Sequence, residues 1–232
     1  MNSYEYLKFL TAKLTAEKLA DTKGRTCTAT GFYVVINGAA YIVTAKHFAE
    51  ETEQNVTIAA HYTDNDAVVT VPVTAFVEWF VSDEFDIAYC LVKPFEKKFK
   101  EITGHNMFYT TISEKNIMTK DELSKLNILS EILTLGYPSG ASSTHHEFPL
   151  FKKGYLSSSP SDFAEDCEGY LDLCTSQGMS GAPIILNDSP LKLVGVLIQY
   201  IKNAKHTAPS TTIYVSADKV LDMIKSQQTK TP

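Results

Sequence analysis

From Gly24 onward the chain is written in short runs of β-branched and aromatic residues. Gly31–Ile36, Tyr41–Thr44, Val56–Ala60, Val68–Val77 and Ile87–Val92 lie in the first half. Ile132–Tyr137, Phe148–Leu156, Tyr170–Cys174, Ala182–Leu186, Leu193–Ile201 and Thr212–Val215 lie in the second. Such side chains pack well on a pleated sheet and lose rotamer freedom in a helix. Asn37-Gly38 between two of the runs is a two-residue hairpin signal, because both residue types tolerate the positive φ that such a turn requires. The pattern predicts an all-β chain with two antiparallel blocks, residues 25–95 and 131–216. They are joined by a polar connection over 96–130 with a short helix near Lys120–Leu126. Apart from that one, helices are expected only at the ends, which argues against an alternating β/α fold.

In the N-terminal segment 1–24, Tyr4, Leu7, Leu10, Leu14 and Leu19 stand among Lys and Glu and predict an amphipathic helix over 3–20. In the C-terminal segment 217–232, Lys219, Val220, Met223 and Ile224 follow Ser216 as a helical stripe. Both stripes need burial to hold a helix together and are expected on the outside of the β blocks.

Of the 232 residues, 44% are hydrophobic and 21% charged, which excludes a disordered chain. With 12 Phe, 12 Tyr and 1 Trp, the core needs no metal or disulfide staple. A formal charge of −6 argues against nucleic acid as partner. Apolar runs such as Leu193–Ile198 fall far short of the roughly 20 residues of a membrane helix, so no membrane association is expected. Cys27, Cys90, Cys167 and Cys174 are too scattered for a disulfide framework and form no C-x-x-C pair. The N-terminus, with its early Glu5, does not read as a signal peptide. A reducing cytoplasm, with no metal and no cofactor, is the expectation.

Three segments can carry chemistry. His47 ends Thr44-Ala45-Lys46-His47, directly after an apolar strand, a rigid place for an imidazole that must move a proton. Asp86 stands between apolar residues at the start of another strand, where a carboxylate needs a partner. It either fixes a histidine tautomer or caps backbone N–H groups. Ser176-Gln177-Gly178-Met179-Ser180-Gly181-Ala182-Pro183 is the most specific of the three. Its glycines permit a tight turn that can aim the N–H groups of Gly178 and Ser180 at one point, beside a hydroxyl able to attack. The hydrolase elbow G-x-S-x-G is ruled out, since Gly181 directly follows the serine and the fifth position is Ala182. Adjacent His145-His146 suits a solvated loop better than a metal, and His61, His105 and His206 read as surface or packing residues.

The order His, Asp, Ser, with these three motifs, resembles that of the trypsin-like (chymotrypsin-fold) serine peptidases, in the disulfide-poor bacterial form of HtrA protease domains. Thr30-Gly31-Phe32 and Gly136-Tyr137-Pro138 add to the likeness. The resemblance implies two antiparallel six-stranded barrels with the site between them. It implies Ser180 as nucleophile, His47 as general acid/base, Asp86 as its orienting carboxylate, and the N–H groups of Gly178 and Ser180 as oxyanion hole. It further implies a substrate pocket with Cys174 at its base and Ile198 and Tyr200 along one wall, uncharged and so unsuited to Lys or Arg. Phe48 stands where secreted members have a cysteine, and Ile198 where many have a serine near the aspartate. Met179 replaces the aspartate that pairs with a new N-terminus in digestive zymogens, so no such activation is expected. The substrate would be a protein or peptide, and a regulatory protein partner is left open. The other reading is a non-catalytic protein-interaction module on the same fold.

Overall fold

The computed structural model describes residues 3–19, 24–65, 67–143, 146–158, 168–187, 190–200 and 211–228. A 3-10 helix, Ser3–Phe9, leads into β1 (Thr11–Glu17), β2 (Thr26–Ile36) and β3 (Ala39–Thr44). Next come α1 (Lys46–Glu51), β4 (Asn55–Asp64), β5 (Ala67–Phe76), β6 (Phe80–Val81), β7 (Ala88–Leu91) and α2 (Lys93–Thr103). The connection holds β8 (Ile112–Ser113) and α3 (Lys120–Leu123). The second block is β9 (Glu131–Gly136), β10 (Leu150–Leu156), β11 (Glu168–Asp172), β12 (Pro183–Leu186), β13 (Lys192–Tyr200) and β14 (Thr211–Ser216), closed by α4 (Ala217–Gln228).

The second block is a closed six-stranded barrel in the order β10-β11-β14-β13-β12-β9. The first is an eight-stranded sheet, β5-β4-β1-β2-β3-β7-β6, with β8 added parallel to β2. Closure of this sheet into a six-stranded barrel is not among its strand pairings. Asn37 and Gly38 both take positive φ (49° and 78°) and turn β2 into β3, as the sequence predicts.

The N-terminal segment differs from expectation. Residues 3–20 do not form one helix, because Thr11–Glu17 is a strand paired to β2 on one side and β4 on the other. Ala12, Leu14 and Ala16 are buried at every second position, so the segment lies within the sheet rather than on its outside. The polar connection also holds a helix the sequence reading did not separate: α2 buries Phe95 and Phe99, one turn apart, and ends on left-handed Gly104.

α4 does form, and buries Val220 and Ile224. They belong to one apolar cluster with Phe32, Val43 and Ile87 of the first block and Leu135, Val196 and Val215 of the second. The two blocks thus share a core. The helix end is tied to the first hairpin, with Gln228 bonded to Tyr41 Oη and to Asn37, each at 2.7 Å. This shared core holds the two blocks together.

Candidate active site

The pairing of β3 with β7 sets Thr44 opposite Ala88. The residues just past the end of β3 therefore meet those just before β7, and His47 and Asp86 come together from 39 positions apart. His47 sits in the first turn of α1, whose Phe48 is 3% exposed in the core of the first block, edge-on to Trp79. The loop to Asp86 is closed by Ser82, whose Oγ accepts the N–H groups of Glu84 and Phe85 and whose own N–H donates to Ile87.

Asp86 Oδ2 lies 2.8 Å from His47 Nδ1, and Oδ1 accepts the His47 backbone N–H at 2.9 Å. The Lys46 N–H also bonds this carboxylate. Asp86 thus bonds both the imidazole and the backbone in the first turn of α1. An ionised carboxylate can only accept, so Nδ1 carries the proton and the neutral ring keeps its lone pair on Nε2. Burial raises the Asp86 pKa, but its bonds from His47 and from the Lys46 N–H outweigh burial and hold it below the usual carboxylate value. The bond to Asp86 raises the His47 pKa above 6.5, against the opposing effect of burial.

A titration checks this balance. With Asp86 removed, burial is the largest cause left and it lowers the pKa. Followed by NMR of the ring protons, His47 is expected to titrate above 6.5 in the native protein and below it in Asp86→Ala. Equal values in the two proteins would show that the pair is not coupled.

Ser180 lies in the turn between β11 and β12, and the turn is moulded onto the first block. Gly181 has φ +85°, and a Cβ there would stand 2.1 Å from the Thr30 carbonyl oxygen, 2.4 Å from Thr44 Oγ1 and 2.9 Å from Ala45 N. No side chain fits, and the residue after Ser180 is pressed against the strand end that leads to His47. Gly178 has φ +91°, and a Cβ there would meet the Tyr137 carbonyl oxygen at 2.3 Å. Gly181 N donates to Leu197 O at 2.7 Å, fixing the turn to β13.

Among the described residues, the N–H groups of Gly178 and Ser180 have no acceptor, and the half-buried Ser180 hydroxyl has no hydrogen bond. Two donors two residues apart are thus left free beside a free hydroxyl, an arrangement that can receive a negative oxygen. Met179, between them, is 0% exposed and sits in the barrel core, where nothing would pair with a charge.

No protein-family model and no curated protein matches the sequence. Solved structures do. The active form of the Rv3671c protease from M. tuberculosis matches with a TM-score of 0.62 at 15% identity, over 97% of this chain and 83% of that one. The HtrA-type protease AlgW, solved with a tripeptide, gives 0.63 at 12% identity, over 97% of this chain and 62% of that one. The serine endoprotease from Yersinia pestis gives 0.61 at 12%, over 96% and 64%. The chain shares the fold of these proteases. It spans less than two thirds of the length of the last two proteins.

Within this fold the other expected residues are placed as follows. Ile198 is 4% exposed and joins the apolar cluster that holds Ile87. Cys174 is exposed, and its carbonyl accepts Lys152 Nζ at 2.7 Å. The backbone of Tyr200 ends β13, while its side chain and residues Cys167, His145 and His206 lie outside the described residues. Among the described residues no cluster of three metal-ligating side chains occurs. His61 is packed beside Phe9 and Phe148, and burial lowers its pKa to about 4. The sequence reading missed Ser82 and Ser139, which shape the site loops. Ser82-Asp83-Glu84 and Pro138-Ser139-Gly140 both carry turn chemistry that could have marked them.

Proposed function

We propose that the protein is a serine endopeptidase, with Ser180 as nucleophile, His47 as general base and acid, and Asp86 as the group that orients His47. The observation that carries this reading is the joint at Gly181, which seats the Ser180 turn on Ala45, two residues before an imidazole already gripped by Asp86. Nε2 takes the hydroxyl proton as Oγ bonds the substrate carbonyl carbon. The carbonyl oxygen, now negative, accepts from Gly178 N–H and Ser180 N–H. Asp86 stabilises the imidazolium, which gives its proton to the leaving amine as the C–N bond breaks. Water then gives a proton to Nε2 and attacks the ester carbon; the Oγ–C bond breaks as Nε2 returns that proton to Oγ, which releases the acid and restores Ser180 and neutral His47. The missing Oγ–Nε2 bond fits a free enzyme, where such contacts are often loose until substrate closes them.

Cys174, Ile198 and Tyr200 are assigned to the substrate pocket in this reading, with no carboxylate to pair a basic side chain. Digestion of an unbiased peptide library, read by mass spectrometry, is expected to show cleavage after small or medium apolar residues. Dominant cleavage after Lys or Arg would overturn the pocket assignment, and no cleavage at all would favour a protein-interaction module. Residence in a reducing cytoplasm belongs to the same reading, supported by Cys27, Cys90 and Cys174 being unpaired. No helix among the described residues is long and apolar enough to cross a membrane.

A further inference from the structure

Thr30 belongs to β2 of the first sheet and is 0% exposed, yet most of its polar contacts reach into the second block. Its N–H donates to Ser180 O at 2.9 Å. Its Oγ1 donates to Gly178 O at 2.8 Å and accepts the Tyr137 N–H at 3.2 Å. Its own carbonyl accepts Thr44 Oγ1 at 2.8 Å, on the strand that leads to His47. One buried threonine therefore touches both carbonyls that flank the free N–H groups, and the strand of the base as well.

Four consecutive peptide planes make up the turn, and each is pinned through its carbonyl. Gln177 O accepts from Ser139 N–H at 2.5 Å, and Met179 O from Ala182 N–H at 2.9 Å. These two planes carry the N–H groups of Gly178 and Ser180. The planes between and after them are held by Thr30. The N–H of the Gly178–Met179 plane donates to Ser176 O at 3.1 Å. Among the described residues, Thr30 Oγ1 is the one group bonded to its oxygen. Gly178 has no Cβ to resist rotation, so losing that bond lets ψ of Gly178 and φ of Met179 drift, and these two angles set how the flanking N–H groups are aimed relative to each other.

We propose that the Thr30 hydroxyl is a positioning group for catalysis, which keeps the Gly178 and Ser180 N–H groups convergent by holding the Gly178 carbonyl. The proposal rests on the peptidase reading above for its kinetic consequence, and on geometry alone for its structural one. Removing an oxyanion donor outright costs on the order of 100- to 1000-fold in kcat. Loss of its positioning is expected to cost less, roughly ten- to hundred-fold, with KM little changed because the ground-state carbonyl uses these donors weakly.

The test compares the full chain with Thr30→Val, which swaps hydroxyl for methyl, and Thr30→Ser, which keeps the hydroxyl. Thr30→Ala is made alongside, since the space it opens admits water should the valine variant fail to fold. Steady-state cleavage of a peptide found by library digestion should show kcat reduced in Thr30→Val or Thr30→Ala, unchanged KM, and restoration in Thr30→Ser. A wild-type kcat in the hydroxyl-free variants, an effect on KM alone, or an equal loss in Thr30→Ser would overturn the proposal. Amide hydrogen exchange at Met179 and Ala182 is read without substrate. It should quicken in Thr30→Val and not in Thr30→Ser. Unchanged exchange refutes the positioning role whatever the enzyme does. Quickened exchange in a chain whose wild type cleaves nothing would leave the positioning role standing and remove the peptidase reading.

Discussion

Ser180→Ala is expected to lower kcat on the order of 10⁶-fold, to the level left by binding and the oxyanion donors alone. The hydroxyl is the attacking atom, and alanine offers none. The fold should be untouched, because that hydroxyl makes no hydrogen bond among the described residues and removing it leaves no buried group unpaired. The check is a pair of measurements on one preparation: hydrolysis of a cleaved library peptide, and the thermal unfolding midpoint. Activity lost with the midpoint unchanged is the expected result. Wild-type turnover in Ser180→Ala would remove Ser180 from the chemistry.

Deleting residues 1–20 is expected to abolish cooperative folding. The deletion takes out β1, which lies between β2 and β4, and with it the buried Leu7, Phe9, Leu10 and Leu14. Each such side chain contributes about 2–5 kcal/mol, set against a total stability of about 5–15 kcal/mol. The unpaired edges of β2 and β4 would add an aggregation hazard. Loss of the near-ultraviolet circular dichroism signal and of a sharp melting transition would agree. A truncated chain that still melted cooperatively near the wild-type temperature would show that β1 is dispensable.

That strand is also where the sequence misleads. Leu10 and Leu14 are four apart, a spacing that suits both a helix face and every second position of a strand. Ala12 and Ala16, which complete the strand's buried face, are too small to weigh in an apolar pattern. What turns the segment into a strand is β2 and β4 on either side, a tertiary demand. α2 is the opposite case. Pro94, Phe95, Phe99 and the final Gly104 all mark a helix, but the lysines and glutamates among them hide its apolar face within a polar stretch.

The β blocks themselves were legible, because β-branched runs and Asn37-Gly38 report local backbone preference. Which strands close into a barrel was not, since pairing depends on partners far along the chain. The same division holds at the site. The sequence marks His47, Asp86 and the Gly178–Gly181 turn by residue type. The register of Thr44 opposite Ala88, which brings two of them together, has no local signature. Nor does Thr30, an ordinary strand threonine by sequence, three of whose four polar contacts exist only once both blocks have met.

The central claim is that Ser180 is a hydroxyl activated by His47 beside two free N–H groups. It is tested most directly by reaction with a fluorophosphonate, which phosphonylates such a serine with loss of fluoride, followed by peptide mapping of the full chain with an uncut N-terminal tag. The expected result is a single adduct on Ser180 that is absent in His47→Ala, with no trimming of the chain needed. No adduct on the wild-type protein, or one that persists in Ser180→Ala, would contradict the account.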